Sequence, residues 1–290
     1  MQEFLHILVS GTAIGCVYSC LAVALVLVYK TTSHVNLAQG EMATFAAYVA
    51  LALILAGVPV WLAALLSVLF GFVSGAGVER LLMRRLHSAP HLTYLVACVA
   101  LFIGINSLSG WLFWHDIKAF PSVFGEGKSA LVPFLSAHEL GSILTIFVIA
   151  ALLFGFLRYT SVGLAMRATA DNPASSRLSG IPVDWLLTLG WGIAGAVGAV
   201  AALLIAPIVF LEPNMMAGVL IYAFAAALIG GLDSIWGAIL GGVLVGVIEH
   251  VAGAYLVGND LKLTLALAII VTVLLLRPQG LLGTKLVTRV

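Results

Sequence analysis

Residues 5–28 read LHILVSGTAIGCVYSCLAVALVLV, a run without a single Asp, Glu, Lys or Arg. The hydrocarbon core of a bilayer takes about 20 mostly apolar residues of α-helix, so this run predicts a membrane-crossing helix. It is too long for the apolar core of a cleavable signal peptide, and Met1-Gln2-Glu3 before it carries no positive side chain. The same ruler, moved outward, marks further spans near 36–56, 60–78, 92–113, 139–157, 185–208, 215–231, 236–257 and 262–276. Those at 215–231 and 262–276 are short or abut their neighbours, which leaves eight spans plus a re-entrant piece as the alternative to nine. Composition agrees over the whole length. Hydrophobic residues fill 62% of the 290 positions and charged ones 9%, with a mean hydropathy of +1.18. A soluble domain carries roughly 25% charged residues, because its surface faces water. The expected fold is all-α: one polytopic transmembrane helical bundle of eight to nine spans, residues 1–290 forming a single domain.

The few charges fix an orientation, because Lys and Arg gather on the cytoplasmic side. Arg80, Arg84 and Arg85 follow the third run, Arg158, Arg167 and Arg177 the fifth, and Arg277, Lys285 and Arg289 the last. Alternate connections are poorer. Segments 57–59 and 209–214 have no Lys or Arg, and 114–138 offsets Lys118 and Lys128 with Asp116 and Glu126, with Glu139 just beyond. Nine spans put all three arginine clusters and Lys30 on one side, with the N-terminus outside and the C-terminus cytoplasmic. The formal net charge of +1 carries no basic footprint for nucleic acid.

Small residues four apart let helix backbones approach closely in lipid. Gly11/Gly15 and Gly71/Gly75 have that spacing, and the dense run Gly237, Gly241, Gly242, Gly246 is expected to form a tight interior helix contact. Cys16, Cys20 and Cys98 lie in apolar runs with no further Cys or His at ligand spacing, so they read as small apolar residues and no metal or cofactor is expected.

The longest polar stretch on the predicted inner side is 158–184, RYTSVGLAMRATADNPASSRLSGIPVD. Asn172 followed by Pro173 reads as an N-cap and a first-turn proline; Gly180 is placed to end that helix and Pro182 prevents its continuation. A compact helix outside the membrane is expected, with Arg177 on it and Arg167 just before, against the plainer reading of an ordinary capped loop. Its mixed faces suit a protein contact.

Enzymatic motifs fail one by one. Gly127-Lys128-Ser129 imitates the end of a phosphate loop, but Ser122 stands where the first glycine is required. His138-Glu139 opens a zinc-protease pattern that Ser142 breaks. Ser74-Gly75 lacks the spacing of an intramembrane serine nucleophile, and Asp233 has no paired aspartate. Polar residues within spans are costly and default to functional hypotheses. Asn36, Gln39 and Glu41 cluster at the start of the second span; Asn106, Glu249 and His250 lie deeper. Asn36, Gln39, Glu41, Asn106 and Glu249 are the candidates for lining a solute path, with helix capping and structural hydrogen bonds as the competing roles. So few deep charges disfavour a proton-coupled pump.

Four segments carry a family resemblance: GTAIGCVYSCLAVALVLVYKTTSHVNLAQGEMATFAAYVA, RYTSVGLAMRATADNPASSRLSGI, GGLDSIWGAILGGVLVGVIE and LLLRPQGLLG. In this order they resemble the LivH-type permeases of branched-chain amino acid ABC transporters. The resemblance implies a bacterial inner-membrane importer subunit that is not itself an enzyme. It also implies partners: a second related permease or a copy of itself, two cytoplasmic ATPase subunits, a periplasmic substrate-binding protein, and the surrounding lipid. It assigns residues 163–181 to ATPase docking, through Gly163, Arg167, Ala168, Thr169, Ala170, Asp171, Asn172, Pro173, Arg177, Leu178, Gly180 and Ile181. Gln39 departs from the family, where His is frequent; it keeps hydrogen bonding but cannot titrate. The competing reading is a stand-alone secondary transporter or channel, for which the short runs around Gly230-Gly231-Leu232-Asp233 and an internal echo between NLAQGEMATFAAY and LDSIWGAILGGV are the support. An internal repeat is expected under either reading.

Overall fold

The charge-free opening run becomes α1, Gln2–Thr32, and 89% of its apolar window is buried inside the protein. A helix that is apolar all round belongs in the interior, and the rest of the chain is assembled about it. The computed structural model describes residues 2–87, 89–125, 127, 135–277 and 279–283. After α1 the chain reverses at Ser33, which takes the left-handed φ of 57°, and re-enters the protein to start α2, Gln39–Leu55. Then come α3, Val60–Leu81, a 3-10 turn at Met83–Leu86, and α4, His91–Phe113. A capping box opens α5, Ala137–Tyr159: the Ser136 hydroxyl accepts from the Glu139 amide, while the Glu139 carboxylate accepts from the Ser136 amide.

The polar stretch that follows forms two helices, one more than the sequence signals. Ser161–Asp171 is α6 and Pro173–Leu178 is α7. The extra helix starts because the Thr160 hydroxyl accepts from the Gly163 amide at 2.9 Å, and a methyl at Gly163 would collide with the last turn of α5. In α7, Asn172 Oδ1 accepts from the Ser175 amide at 2.9 Å, Pro173 fills the first turn, and Gly180 beyond it takes φ +79°.

The second long buried helix, α8, spans Val183–Val209, with 67% of its window buried. It also ends on a left-handed residue, Phe210 at φ 63°, before α9, Met215–Gly230, α10, Ile235–Ala252, and α11, Lys262–Leu276. Among the described residues six helices are long and apolar enough to cross a membrane, and α2, α9 and α11 are shorter apolar helices. The run near 36–56 loses its first residues to the turn: Asn36 Oδ1 accepts from the Ala38 amide at 3.0 Å, holding that backbone out of the helix.

Glycine decides the packing. Gly11 and Gly15 of α1 lie against the backbone of Gly246 and Gly242 on α10. Gly71 and Gly75 of α3 lie against Gly195 and Trp191 of α8, and Gly237 and Gly241 of α10 against Gly230 and Ala226 of α9. Each long central helix is thus followed by a short one and then by a glycine-faced helix, which packs on the other central helix. Large apolar side chains of α3, α4, α5 and α11 stay exposed, Leu65, Trp111, Phe147 and Leu275 among them.

Candidate functional site

The starts of α2 and α9 meet inside the protein. Gln39 Nε2 donates to the carbonyl of Ala194, midway along α8, at 2.9 Å, and Gly40 leaves a gap that a methyl would fill to within 3.2 Å of Met216 at the head of α9. Neither helix has a side-chain cap; their first amides donate to backbone carbonyls, Gln39 to Asn36 at 3.3 Å and Met215 to Glu212 at 3.1 Å.

Asn36 and Gln39 are spent on holding this approach. Asn36 Nδ2 donates to Gln39 Oε1 at 3.1 Å, and both residues are at most 1% exposed. Glu41 stands two residues on, fully buried. Its Oε2 accepts from Asn106 Nδ2 of α4 at 3.0 Å, while Oε1 has no hydrogen-bond partner. The same Asn106 amide lies 3.2 Å from the Pro213 carbonyl and 2.9 Å from Asn214 Oδ1. Four elements therefore converge: the head of α2, the C-terminal half of α4, the turn after α8, and the head of α9. Asn214 is exposed and Asn106 half-buried, so the group opens onto the surface of this subunit. Polar side chains at such depth face water or protein rather than acyl chains.

Glu249 belongs elsewhere. Its Oε2 accepts from the Tyr18 hydroxyl of α1 at 2.7 Å, and Lys262 Nζ at the start of α11 lies 3.7 Å from Oε1. Tyr18 also stacks on Tyr222 of α9, centroids 4.9 Å apart. This knot joins four helices, and none of its bonds reaches the Glu41 group. His250 caps its own helix, with Nδ1 3.2 Å from the Gly246 carbonyl.

A second polar knot, unforeseen from the sequence, lies below the polar stretch. Glu79, at 0% exposure, accepts from the Thr188 hydroxyl and from Arg84 Nη2 at 3.4 Å. Arg84 Nη2 also donates to Thr188 Oγ1 at 2.7 Å and to the Asp184 carbonyl at 2.9 Å, and Asp184 pairs with Arg177 of α7 at 3.0 Å. Burial holds His87 below the usual imidazole range, against the pull of the nearby Glu79 carboxylate. A chain of contacts thus runs from α7 to the ends of α3 and α8, beside a crevice of about 600 Å³. The apolar run near 60–78 ends one position before Glu79.

Of the residues that the resemblance assigns to docking, Gly163 and Thr169 are buried, Ala168, Ala170 and Ile181 half-buried, and Arg167, Asp171, Asn172, Pro173, Arg177, Leu178 and Gly180 exposed; Leu178 is 92% exposed. Among the described residues no group of three or more His, Cys, Asp or Glu is placed to hold a metal ion. Glu126, Lys128, Ser129, Lys285 and Arg289, used in the orientation and phosphate-loop arguments, lie outside the described residues.

Comparison with known proteins adds the following. Residues 7–274 match the family described as branched-chain amino acid transport system / permease component. The high-affinity branched-chain amino acid transport system permease protein LivH of Escherichia coli (strain K12) is 29% identical, over 99% of this chain and 98% of that protein. The corresponding protein BraD of Pseudomonas aeruginosa is 30% identical, over 100% and 99%. Among solved structures, PsaBC from Streptococcus pneumoniae in complex with Fab shares the fold with a TM-score of 0.50 at 14% identity, covering 95% of this chain and 92% of that one.

Proposed function

This chain belongs to the family of branched-chain amino acid transport system permease components, and from that premise we propose that it forms the membrane path of an ATP-driven importer for branched-chain or related hydrophobic amino acids. It is a multi-pass inner-membrane permease subunit and not an enzyme; ATP hydrolysis belongs to separate ATPase subunits. The observation that carries the reading is the end-to-end match, which covers α1 through most of α11. Membership in a family of system components decides against the stand-alone transporter or channel.

The finer assignments are ours. Two permease subunits, this chain with a relative or a copy of itself, would enclose the path, and a periplasmic binding protein would deliver the solute. The exposed Arg177 and Leu178 on α7 support ATPase docking through residues 163–181, and the Arg177–Asp184–Arg84–Glu79 chain would carry that motion to α3 and α8. The arginine clusters support an external N-terminus and a cytoplasmic C-terminus. The shared pattern of α1–α2–α3 and α8–α9–α10, each with a left-handed reversal and a short second helix, supports an inverted internal repeat. The uncapped heads of α2 and α9, with Glu41, Asn106 and Asn214 between them, support a path along this face.

Reconstitution tests the function. Proteoliposomes holding the permease pair and both ATPases should accumulate leucine when given ATP and leucine-loaded binding protein. Accumulation that persists without the ATPases, or that is unaffected by Arg177→Glu together with Leu178→Asp, would show the mechanism to be wrong.

A further inference from the structure

The Glu41 group is short of protons. Glu41 Oε2, the Pro213 carbonyl and the Asn214 amide oxygen are gathered around one donor, the Asn106 side-chain amide. An amide nitrogen carries two protons, so at least one of the three acceptors within its reach goes without. Glu41 Oε1 has no partner at all, on a residue with 0% exposure. About two turns further along the same face of α2, the buried Tyr48 hydroxyl is also unpartnered, its ring stacked on Phe113 of α4 at 4.7 Å. Buried acceptors are nearly always satisfied in folded proteins, and each exception calls for a missing partner.

A partner that satisfies these oxygens brings N–H or O–H donors, a positive charge, or both. The neighbouring surface says what else it carries. Met42 and Phe45 on α2, Ile105 and Leu108 on α4, and Phe70 and Ser74 on α3 line an almost wholly apolar crevice of about 160 Å³. Dry cavities of that order hold a six-carbon hydrocarbon. Phe45 lies one turn beyond Glu41 on the same face of α2 and lines the crevice, so the proton-poor group and the crevice meet there.

We propose that the Glu41–Asn106–Asn214 group is the subsite that takes the α-ammonium of an aliphatic amino acid in transit, with its side chain in the α2–α3–α4 crevice. The assignment rests on the permease reading given above. An ammonium supplies three donors and a full charge, which is what the oxygens lack. Asn106 is the stand-in that bonds the carboxylate when no ammonium is there, and the exposed Asn214 is the point of entry.

The test uses the complete importer in proteoliposomes, with binding protein and ATP, and measures uptake of labelled leucine and alanine per permease incorporated. Glu41→Gln keeps the shape and removes the charge. It should lower leucine uptake at least about tenfold, roughly what one charge-assisted hydrogen bond is worth, and Glu41→Asp should restore part of it. Ser74→Leu fills the crevice and should depress leucine uptake more than alanine uptake, so that their ratio falls. Wild-type leucine uptake by Glu41→Gln overturns the assignment and leaves the permease reading intact. So does a Ser74→Leu variant that slows both solutes equally, and this ratio decides alone if Glu41→Gln fails to reach the membrane. A wild-type importer that carries neither amino acid overturns the permease reading and the subsite with it.

Discussion

Two buried glutamates of this chain make opposite use of the same chemistry. Glu249 has both oxygens accounted for, one by the Tyr18 hydroxyl at 2.7 Å and one facing Lys262 at 3.7 Å. Glu41 keeps one oxygen unmatched. A saturated carboxylate between four helices is an anchor, so its loss should be felt in stability. Tyr18→Phe removes one bond and leaves a buried acceptor short, at a cost of about 1–3 kcal/mol. The variant should unfold at a lower temperature in detergent micelles while leucine uptake per folded molecule stays at the wild-type level. Reduced uptake with unchanged unfolding temperature would place Glu249 on the solute path after all.

Helices in lipid gain nothing from hiding apolar surface, so close backbone contact has to hold them. The α3–α8 pair shows how narrow that contact is. A methyl placed on Gly195 would overlap the carbonyl of Gly71, and one on Gly71 would lie 2.6 Å from the carbonyl of Gly195. Gly77, on α3, and Gly104, on α4, have nothing within 4 Å of an added methyl. Alanine at these two positions should therefore be harmless, or stabilising by up to about 1 kcal/mol from helix propensity. Gly195→Ala must push two backbones apart and should destabilise by about 1–3 kcal/mol, as overpacking does in close-packed cores. Thermal unfolding of the three variants separates these cases; equal behaviour would mean that the glycine face is incidental.

At the scale of the molecule, neither half is complete. The helix that covers α1 is α10, and the one that covers α8 is α3. A chain cut in the 114–135 connection would leave the first half without the partner of Gly11 and Gly15, and the second without that of Gly195. The two fragments expressed apart should be degraded or aggregate, while co-expression should yield a complex that purifies through a tag on either one. A protease-resistant first half on its own would contradict this exchange of helices. The same architecture leaves α4 almost bare, with 17% of its apolar window buried, and α4 carries Asn106, the donor at the proposed subsite.

Much of this was legible in the residues themselves. Runs free of charge, such as 5–28, declare membrane helices because a bilayer offers backbone and side chain no alternative partner. Asn172-Pro173 and Gly180 declare a short helix because caps and φ are local properties. Glu41 and Asn106 could be named as costly residues, but not as neighbours: they are 65 positions apart, and only the docking of α4 on α2 brings them within 3.0 Å. Asn214 and Tyr48 raised no signal, one standing in a turn and the other in an apolar run. Glu79 was hidden because its partner Thr188 sits on a distant helix. The sequence determined that the chain lives in lipid, where its membrane helices run and which end of α7 is capped. The tertiary structure alone decided which acceptors remain short of a proton, because satisfaction of a buried polar group depends on what the rest of the chain brings to it.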